Sequence, residues 1–213
     1  MMAMRLGSPE NPLRLAVLIS GSGSGMEALI HHQQNPSCPH QTELVISNIA
    51  GVAGLEKAKR HNVTTLAIEL NTSIQDKKLR REEHEKEIIQ ALSNHQIELV
   101  ILSGYMRILS PQFVSEWNGR LLNIHPSLLP KYPGAHAHRD AIADGAQITG
   151  CTVHFVDDGV DTGQIIAQRE TKVKPDDDEE SLSERVKILE HELYPLVIDD
   201  VATGKIKANH FES

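Results

Sequence analysis

Short apolar runs alternate with polar, helix-like segments along most of the chain. Continuous apolar runs bounded by turns are typical of strands that are buried on both faces of a parallel sheet. Predicted strands cover residues 13–20, 43–47, 64–68, 98–102, 120–124, 149–156 and 164–169. Predicted helices cover residues 26–32, 52–61, 76–95 and 111–117, with a last helix from about residue 181. This alternation predicts an α/β fold, a doubly wound, mostly parallel sheet with helices on both faces.

The ends of the pattern carry their own signals. Ser181 and Glu184 are spaced as a capping box at the start of the last helix, Pro195 is expected to kink or split that helix, and Gly204 to end it. Residues 1–12 are polar and contain Pro and Gly, so we expect a flexible arm before a single Rossmann-like domain at 13–213. The Met-led arm favours a free-standing protein.

Composition narrows the function classes. Aromatic residues make up only 3% of the 213 residues, so the core must be aliphatic, which favours a layered α/β design. The formal charge of −8 argues against general binding to nucleic acids or anionic membranes, so any bound phosphate must be held locally. Cys38 and Cys151 form no metal motif and are interpreted as reduced thiols of a cytoplasmic protein, with one disulfide as the alternative. No signal peptide or membrane-spanning run is present.

A Gly/Ser loop follows the first predicted strand and opens a helix. Backbone amides in such a loop bind anions, aided by the helix dipole, so this loop predicts a phosphate site. Its residues are Gly21, Ser22, Gly23, Ser24 and Gly25. A plain turn is the alternative. A dinucleotide site fits less well, since the second strand ends at Ser47-Asn48 without an acid for a ribose.

Three further segments lie at predicted strand ends, where ligands bind in this type of fold. Asn123 and His125 point to the same face at the end of one strand and offer an oxyanion donor and a proton acceptor. Residues 103–109 combine a flexible Gly104 with an apolar wall, although such residues are more often core. Residues 157–163 offer carboxylates near His125 that would raise its pKa, or form only an acidic turn.

Five motifs together resemble the folate-dependent formyltransferase family over residues 13 to about 211. They are LAVLISGSGS, SGYMRILS, LLNIHPSLLPKYPG, GCTVHFVDDGVDTGQII and LEHELYPLVI. Asn-x-His-Pro-Ser-Leu-Leu-Pro is highly specific for the family, while the Gly/Ser loop and the Glu190-His191 helix indicate the branch that formylates glycinamide ribonucleotide in purine synthesis. The resemblance implies 10-formyltetrahydrofolate as co-substrate. We also expect no metal, and a monomer or weak homodimer.

The resemblance also implies roles for residues. Asn123, His125 and Asp161 match the catalytic trio, which assists direct attack of the substrate amine on the formyl carbon. The Gly21 to Gly25 loop, Pro126 and Glu190 match the nucleotide site, with Glu190 at a ribose hydroxyl. The Leu129-Pro130 bond is a candidate cis peptide. The folate pocket matches Gly104, Met106, Arg107, Ile108, Leu109, Asp157, Asp158, Gly159 and Val160, with Arg107 at the folate carboxylates.

Gly25 departs from the family pattern, which has a side chain there that helps to hold phosphate. His136 and His138 are candidates for substrate contact or incidental metal binding, and no ligand set at the usual spacing indicates metal catalysis. Three alternatives stay open. A formylfolate hydrolase would carry an N-terminal regulatory domain, and a transfer-RNA formyltransferase a C-terminal nucleic-acid domain. A non-catalytic phosphate-binding module would tolerate loss of His125.

Overall fold

The computed structural model describes residues 4–208 and contains one seven-stranded sheet in the order β3-β2-β1-β4-β5-β6-β7. Strands β1 to β5 are parallel, whereas β6 is antiparallel to both β5 and β7. The strands are β1 (Leu13–Ile19), β2 (His40–Ser47), β3 (Thr64–Ala67), β4 (Leu99–Leu102), β5 (Leu121–His125), β6 (Ile148–Phe155) and β7 (Ile165–Lys172). The predicted doubly wound, mostly parallel α/β fold is confirmed.

Six helices accompany the sheet in the described part of the chain: α1 (Ser24–His32), α2 (Ala53–Arg60), α3 (Lys77–Asn94), α4 (Pro111–Glu116), α5 (Ala137–Ala143) and α6 (Glu179–Ala202). Sequence analysis missed α5, because its seven residues are too few to show a helical period. Over residues 4–208, none of the helices is long and apolar enough to cross a bilayer.

Two hydrophobic cores lie on the two faces of the sheet. Along β1, Leu13, Leu15, Val17 and Ile19 belong to the core beneath α1 and α6. The intervening Ala16 and Leu18 belong to the second core, beneath α3 and α4. Because side chains alternate between the faces of a strand, a strand buried on both sides must be apolar throughout. The continuous apolar run of β1 is therefore explained by the helices that cover both faces of the sheet.

The start of α6 differs from the prediction. Asp178, not Ser181, is the N-cap, and it forms a capping box with Ser181 at the N3 position. Pro195 lies inside the continuous helix, so the expected split is wrong. Gly204 follows the helix with a positive φ of 75°, as expected of the residue that ends it.

The predicted arm makes contacts through its described residues. Arg5 pairs with Glu98 at 2.6 Å, and the Gly7 N–H donates to the Ala202 carbonyl at 2.9 Å. The boundary between residues 12 and 13 stays a prediction, and residues 1–3 and 209–213 lie outside the described part. Cys38 and Cys151 are buried and form no disulfide within the described residues. The Leu129-Pro130 bond is cis.

The order of the strands in the sheet determines where a ligand site is expected. From β1 the chain passes to β2 on one side, while β4 pairs on the other side of β1. A crevice opens beyond the carboxyl ends of strands at such a reversal, and ligands bind there. The Gly/Ser loop follows β1, the segment from Ser103 follows β4, and His125 ends β5.

Candidate active site

A cavity of about 340 Å³ lies at this crevice. The whole predicted phosphate loop lines it, together with Gly104, Met106, Pro126 and Glu190. These predicted residues come from four separate stretches of the sequence, and the fold brings them to one cavity. Six further lining residues were not among the predicted site residues, namely Ser20, Ser103, Ile124, Ser183, Lys187 and Tyr194, and His138 also lines it.

The Gly/Ser loop is fixed from both sides. The Ser20 hydroxyl donates to the Asn48 side-chain oxygen at 2.5 Å and accepts from the Met106 N–H at 2.8 Å. Gly23 is the N-cap of α1 with φ 65°, and a Cβ built there would stand 2.7 Å from the Gly54 Cα. The loop therefore requires glycine at 23 for its backbone path and for close packing on α2.

The Ser103 hydroxyl lies next to Gly25, the position that lacks the side chain expected from the family pattern. A Cβ built on Gly25 would lie 2.6 Å from the Ser103 hydroxyl oxygen. Both residues line the cavity, so the serine hydroxyl occupies space next to the glycine. The family-like side chain at position 25 is missing, but a hydroxyl donor is present on the neighbouring strand end.

Two charged side chains of α6 face this cavity. Lys187 and Glu190 lie one helical turn apart, on the same face of the helix. Burial raises the pKa of the Glu190 carboxyl to about 7, against the opposing effect of Lys187. Lys187 escaped sequence analysis because a lysine in a charged helix is usually solvated. Its spacing of three residues from Glu190 was the available signal.

The predicted trio is assembled at the end of β5. The Nδ1 atom of His125 lies 3.2 Å from an oxygen of Asp161, and the Nε2 atom donates to the Tyr132 carbonyl at 2.9 Å. The Asn123 amide nitrogen lies 3.5 Å from the other Asp161 oxygen. Ile124 and Pro126, which flank His125, line the cavity. Asp161 thus contacts His125 directly.

His154 is a fourth member that sequence analysis missed. It lies on β6 directly opposite Asn123, and its Nε2 atom stands 3.2 Å from the Asn123 amide nitrogen. Its Nδ1 atom donates to the Phe155 carbonyl at 2.9 Å, and its Nε2 atom also stands 3.6 Å from an Asp161 oxygen. The Asn123 amide nitrogen therefore lies between His154 and Asp161. Only the pairing of β5 with β6 brings His154 here.

Asp161 is held as an anion by its neighbours. Burial alone would raise the pKa of its carboxyl, but His154, the Gly134 N–H at 2.8 Å and the charge of His125 outweigh burial and keep it below its usual value. Asp161 has a positive φ of 55°, which aspartate tolerates better than most residues. The turn thereby aims a charged carboxylate into the site.

The predicted folate residues are divided between two depressions. Met106, Arg107 and Ile108 line an open one together with Lys77, Lys78 and Arg81. Asp157 and Asp158 line a second cavity of about 420 Å³ with residues of α4. Leu109 is 7% exposed and belongs to the core, whereas Gly159 and Val160 are exposed at the tip of the turn.

Comparison with known proteins places the chain in a family. The model of the formyl transferase family matches residues 13–198. Phosphoribosylglycinamide formyltransferase of Escherichia coli (strain K12) is 42% identical over 195 residues, covering 92% of this chain and 90% of that protein. The chain therefore belongs to the formyl transferase family.

Within this family the chain is similar to proteins named for one reaction. The solved phosphoribosylglycinamide formyltransferase of Coxiella burnetii aligns with a TM-score of 0.85 and 36% identity, covering 93% of this chain and 91% of that one. The human trifunctional purine biosynthetic protein adenosine-3 is 47% identical over 91% of this chain. The chain spans about a fifth of the length of that relative, which it matches over 19%.

Proposed function

We propose that this chain is a phosphoribosylglycinamide formyltransferase. It transfers the formyl group of 10-formyltetrahydrofolate to the amine of glycinamide ribonucleotide, a step of purine (IMP) synthesis. The likeness to the Escherichia coli enzyme over nearly the full length of both proteins supports the activity. The single observation that carries the proposal is the contact of 3.2 Å between His125 and Asp161, beside Asn123 and next to a cavity lined by an anion-binding loop.

The nucleotide occupies the 340 Å³ cavity. Its phosphate binds the backbone amides of the Gly21 to Gly25 loop at the start of α1, where the helix dipole favours an anion. Lys187 supplies the cation that the loop lacks, and the Ser103 hydroxyl adds a donor. Glu190, one turn from Lys187, accepts hydrogen bonds from the ribose hydroxyls. The glycinamide amine then extends past Pro126 toward the end of β5.

Transfer proceeds by direct attack of that amine on the formyl carbon. A bond forms between the amine nitrogen and the carbon, and the carbonyl oxygen gains negative charge that an Asn123 N–H stabilises. The bond from carbon to N10 of the folate then breaks. The amine loses a proton and N10 gains one, with His125 assisting the transfer. Asp161 orients His125 and balances its charge.

The folate occupies the outer part of the site. Gly104, Met106, Arg107 and Ile108 form one wall, and the turn of Asp157, Asp158, Gly159 and Val160 forms the other. Arg107, in a cluster of basic residues, pairs with the folate carboxylates. The protein works in the cytoplasm as a monomer or weak homodimer, without a nucleic-acid partner and without a catalytic metal.

A formyl-transfer assay tests the proposal. Purified protein is mixed with 10-formyltetrahydrofolate and glycinamide ribonucleotide, and release of tetrahydrofolate is followed by absorbance. We expect nucleotide-dependent release that falls about 10²- to 10⁴-fold in His125→Ala. His95→Ala, a variant of a histidine at the distant end of α3, serves as the matched control, and circular dichroism checks folding.

The other outcomes separate the alternatives. Release without the nucleotide would indicate a formylfolate hydrolase. Nucleotide binding without any release would indicate a non-catalytic module. Release that persists in His125→Ala would remove the assigned role of the trio while leaving the reaction in place.

A further inference from the structure

Four side chains that offer metal-binding atoms converge at the edge of the sheet opposite the candidate active site. His32 lies in the last turn of α1, Cys38 in the following loop, His40 at the first position of β2, and Asp199 in the last turn of α6. Their ligand atoms all lie within 4.8 Å of one another. We infer that these four side chains form a structural Zn²⁺ site.

The distances fit a tetrahedral ion. With usual zinc bond lengths, sulfur and nitrogen ligands stand about 3.5 Å apart and nitrogen and oxygen ligands about 3.3 Å. Here the Cys38 sulfur lies 3.6 Å from Nε2 of His40 and 3.7 Å from the Asp199 carboxylate.

The two pairs of histidine nitrogen and Asp199 oxygen are closer, at 2.8 and 2.9 Å, because they are hydrogen-bonded. Zn²⁺ would take the place of the two shared protons and separate each pair by about 0.5 Å. Rotation of the side chains can supply a movement of this size, and the four ligand atoms already lie within 4.8 Å of one another.

Charge and access also favour the ion. Once the thiol proton is displaced, thiolate and carboxylate supply two negative charges and the imidazoles none, which neutralises Zn²⁺. The His40 side chain is fully buried, while those of His32 and Asp199 are about one-quarter exposed. Zn²⁺ would therefore enter past these two side chains. The mixed thiolate and imidazole set selects zinc over magnesium or calcium, which prefer oxygen ligands.

Gln33 sets the orientation of His40. Its side-chain oxygen accepts from the Thr42 N–H at 3.0 Å, so its amide nitrogen faces Nδ1 of His40 at 2.9 Å. Coordination through Nε2 moves the ring proton to Nδ1, and the Gln33 amide must turn over to accept it. Gln33→Glu would supply an acceptor for both groups, as carboxylates commonly do behind zinc-bound histidines.

A second group of possible ligands lies nearby. Glu27, His31 and His61 lie within the same distance limit, on α1 and at the end of α2. This group has no sulfur ligand, and Lys57 pairs with Glu27 at 2.8 Å, so a cation there would compete with the ammonium group. The two groups are distinguishable by spectroscopy, because only the Cys38 group gives a thiolate complex.

The test uses the untagged full chain, stripped with a chelator and then titrated with Zn²⁺ or Co²⁺. We expect one equivalent to bind, with a thiolate-to-cobalt charge-transfer band and the visible absorption of tetrahedral cobalt. Saturating Zn²⁺ at a hundredfold excess over Kd should raise Tm by about 5–10 °C. Cys38→Ser and Asp199→Asn should each weaken binding at least about tenfold, and Gln33→Glu should tighten it about tenfold.

Cys151→Ser, which alters the other buried cysteine, is the matched control and should leave stoichiometry and spectrum unchanged. The inference is overturned if the unmodified chain binds no Zn²⁺. It is equally overturned if the cobalt complex lacks the thiolate band and metal is lost in His61→Ala but retained in Cys38→Ser. Unchanged affinity in Gln33→Glu would contradict coordination through Nε2 of His40. All of these readouts are independent of formyl transfer.

Discussion

At the residue scale, Gly25 and Ser103 form a pair in which one residue makes room for the other. The Ser103 hydroxyl lies 2.6 Å from the place of a Cβ on Gly25, so a larger side chain at 25 collides with it. We interpret the serine as the donor that replaces the side chain missing at position 25. This interpretation makes the effects of substitutions at the two positions non-additive.

The first prediction follows from this pair. Gly25→Asn alone should raise the KM for glycinamide ribonucleotide, because the new side chain must displace the Ser103 hydroxyl. Ser103→Ala alone should raise it about two- to tenfold through loss of one hydrogen bond. The double variant should recover most of the loss, because the asparagine then occupies the vacated space and donates to the phosphate. Equal KM values for Gly25→Asn and the double variant would contradict the pairing.

In the proposed nucleotide site, we expect Glu190 to make binding depend on pH. Its carboxyl has a pKa of about 7 in the folded protein, against an ordinary value of 4.5, because it is buried. Above pH 7 it is a carboxylate, which in the proposed site would accept strongly from the ribose hydroxyls, and below pH 7 it is a neutral acid. We therefore expect KM for the nucleotide to fall as pH rises through 7, beyond the change due to titration of the phosphate itself.

Glu190→Gln should abolish this excess pH dependence, measured as initial rates between pH 5.5 and 8.5 at constant ionic strength.

The raised pKa of Glu190 also determines how the stability of the protein changes with pH. The folded protein holds this proton more tightly than the unfolded chain, so ionisation destabilises the fold as pH rises from 4.5 toward 7. The glutamine variant should lose less stability over that range, and identical pH profiles of Tm would contradict the assignment.

Residues of the candidate site could be predicted where the local periodicity of one strand or helix determines their position. Asn123 and His125 follow from strand periodicity, since alternate residues share a face. His154 and Lys187 did not follow, because their place depends on β5 pairing with β6 and on α6 crossing the sheet. The sequence shows that His154 and Lys187 carry reactive side chains, but it does not show that they lie close to the other residues of the site.

At the element scale, a buried carboxylate joins α3 to α4. Glu85 in α3 is 4% exposed and accepts from both the N–H, at 2.8 Å, and the hydroxyl of Ser110. Ser110 is the N-cap of α4 and accepts from the Phe113 N–H. The start of α4, and with it the end of the segment from Ser103 to Leu109, thus depends on one side chain of another helix.

Glu85→Ala should destabilise the protein by about 1–3 kcal/mol, because it leaves the buried donors of Ser110 without their acceptor. Urea unfolding followed by circular dichroism measures the change. Glu83→Ala, an exposed glutamate of the same helix, is the control and should shift the free energy of unfolding by no more than about 0.5 kcal/mol. We also expect KM for the formyl folate to rise in Glu85→Ala. A free energy equal to that of Glu83→Ala would show that Ser110 is satisfied otherwise.

Element prediction succeeded where a pattern was long and failed where a competing local choice existed. The strand from residue 13 and the long helix α3 were both found, with ends within about two residues. At the start of α6, Asp178 and Ser181 are both good N-caps, and the earlier one wins because it adds helical residues to the first turn. Helix α5 is short, and its packing against α6 fixes its position.

At the scale of the whole molecule, a local cluster of positive charge lies on a chain whose net charge is negative. The chain carries −8, yet Lys77, Lys78, Arg81 and Arg107 surround the open depression beside Met106 and Ile108. A net negative protein repels an anionic folate at long range, so a local positive region has to offset this repulsion near the site. The cluster combines basic residues from the start of α3 with Arg107 from the loop after β4, so neither segment alone reveals it in the sequence.

This region should make capture of the folate sensitive to salt. At low ionic strength, Lys77→Gln should raise KM for 10-formyltetrahydrofolate about two- to fivefold, the range expected for one exposed charge interaction. The difference should shrink toward one at about 1 M salt, where the Debye length is about 3 Å. Lys86→Gln, an exposed lysine farther along α3, is the matched control and should leave KM unchanged. An effect of Lys77→Gln that persists at high salt would indicate a direct, desolvated contact with the folate, whereas equal effects of both variants would mean that net charge alone governs capture.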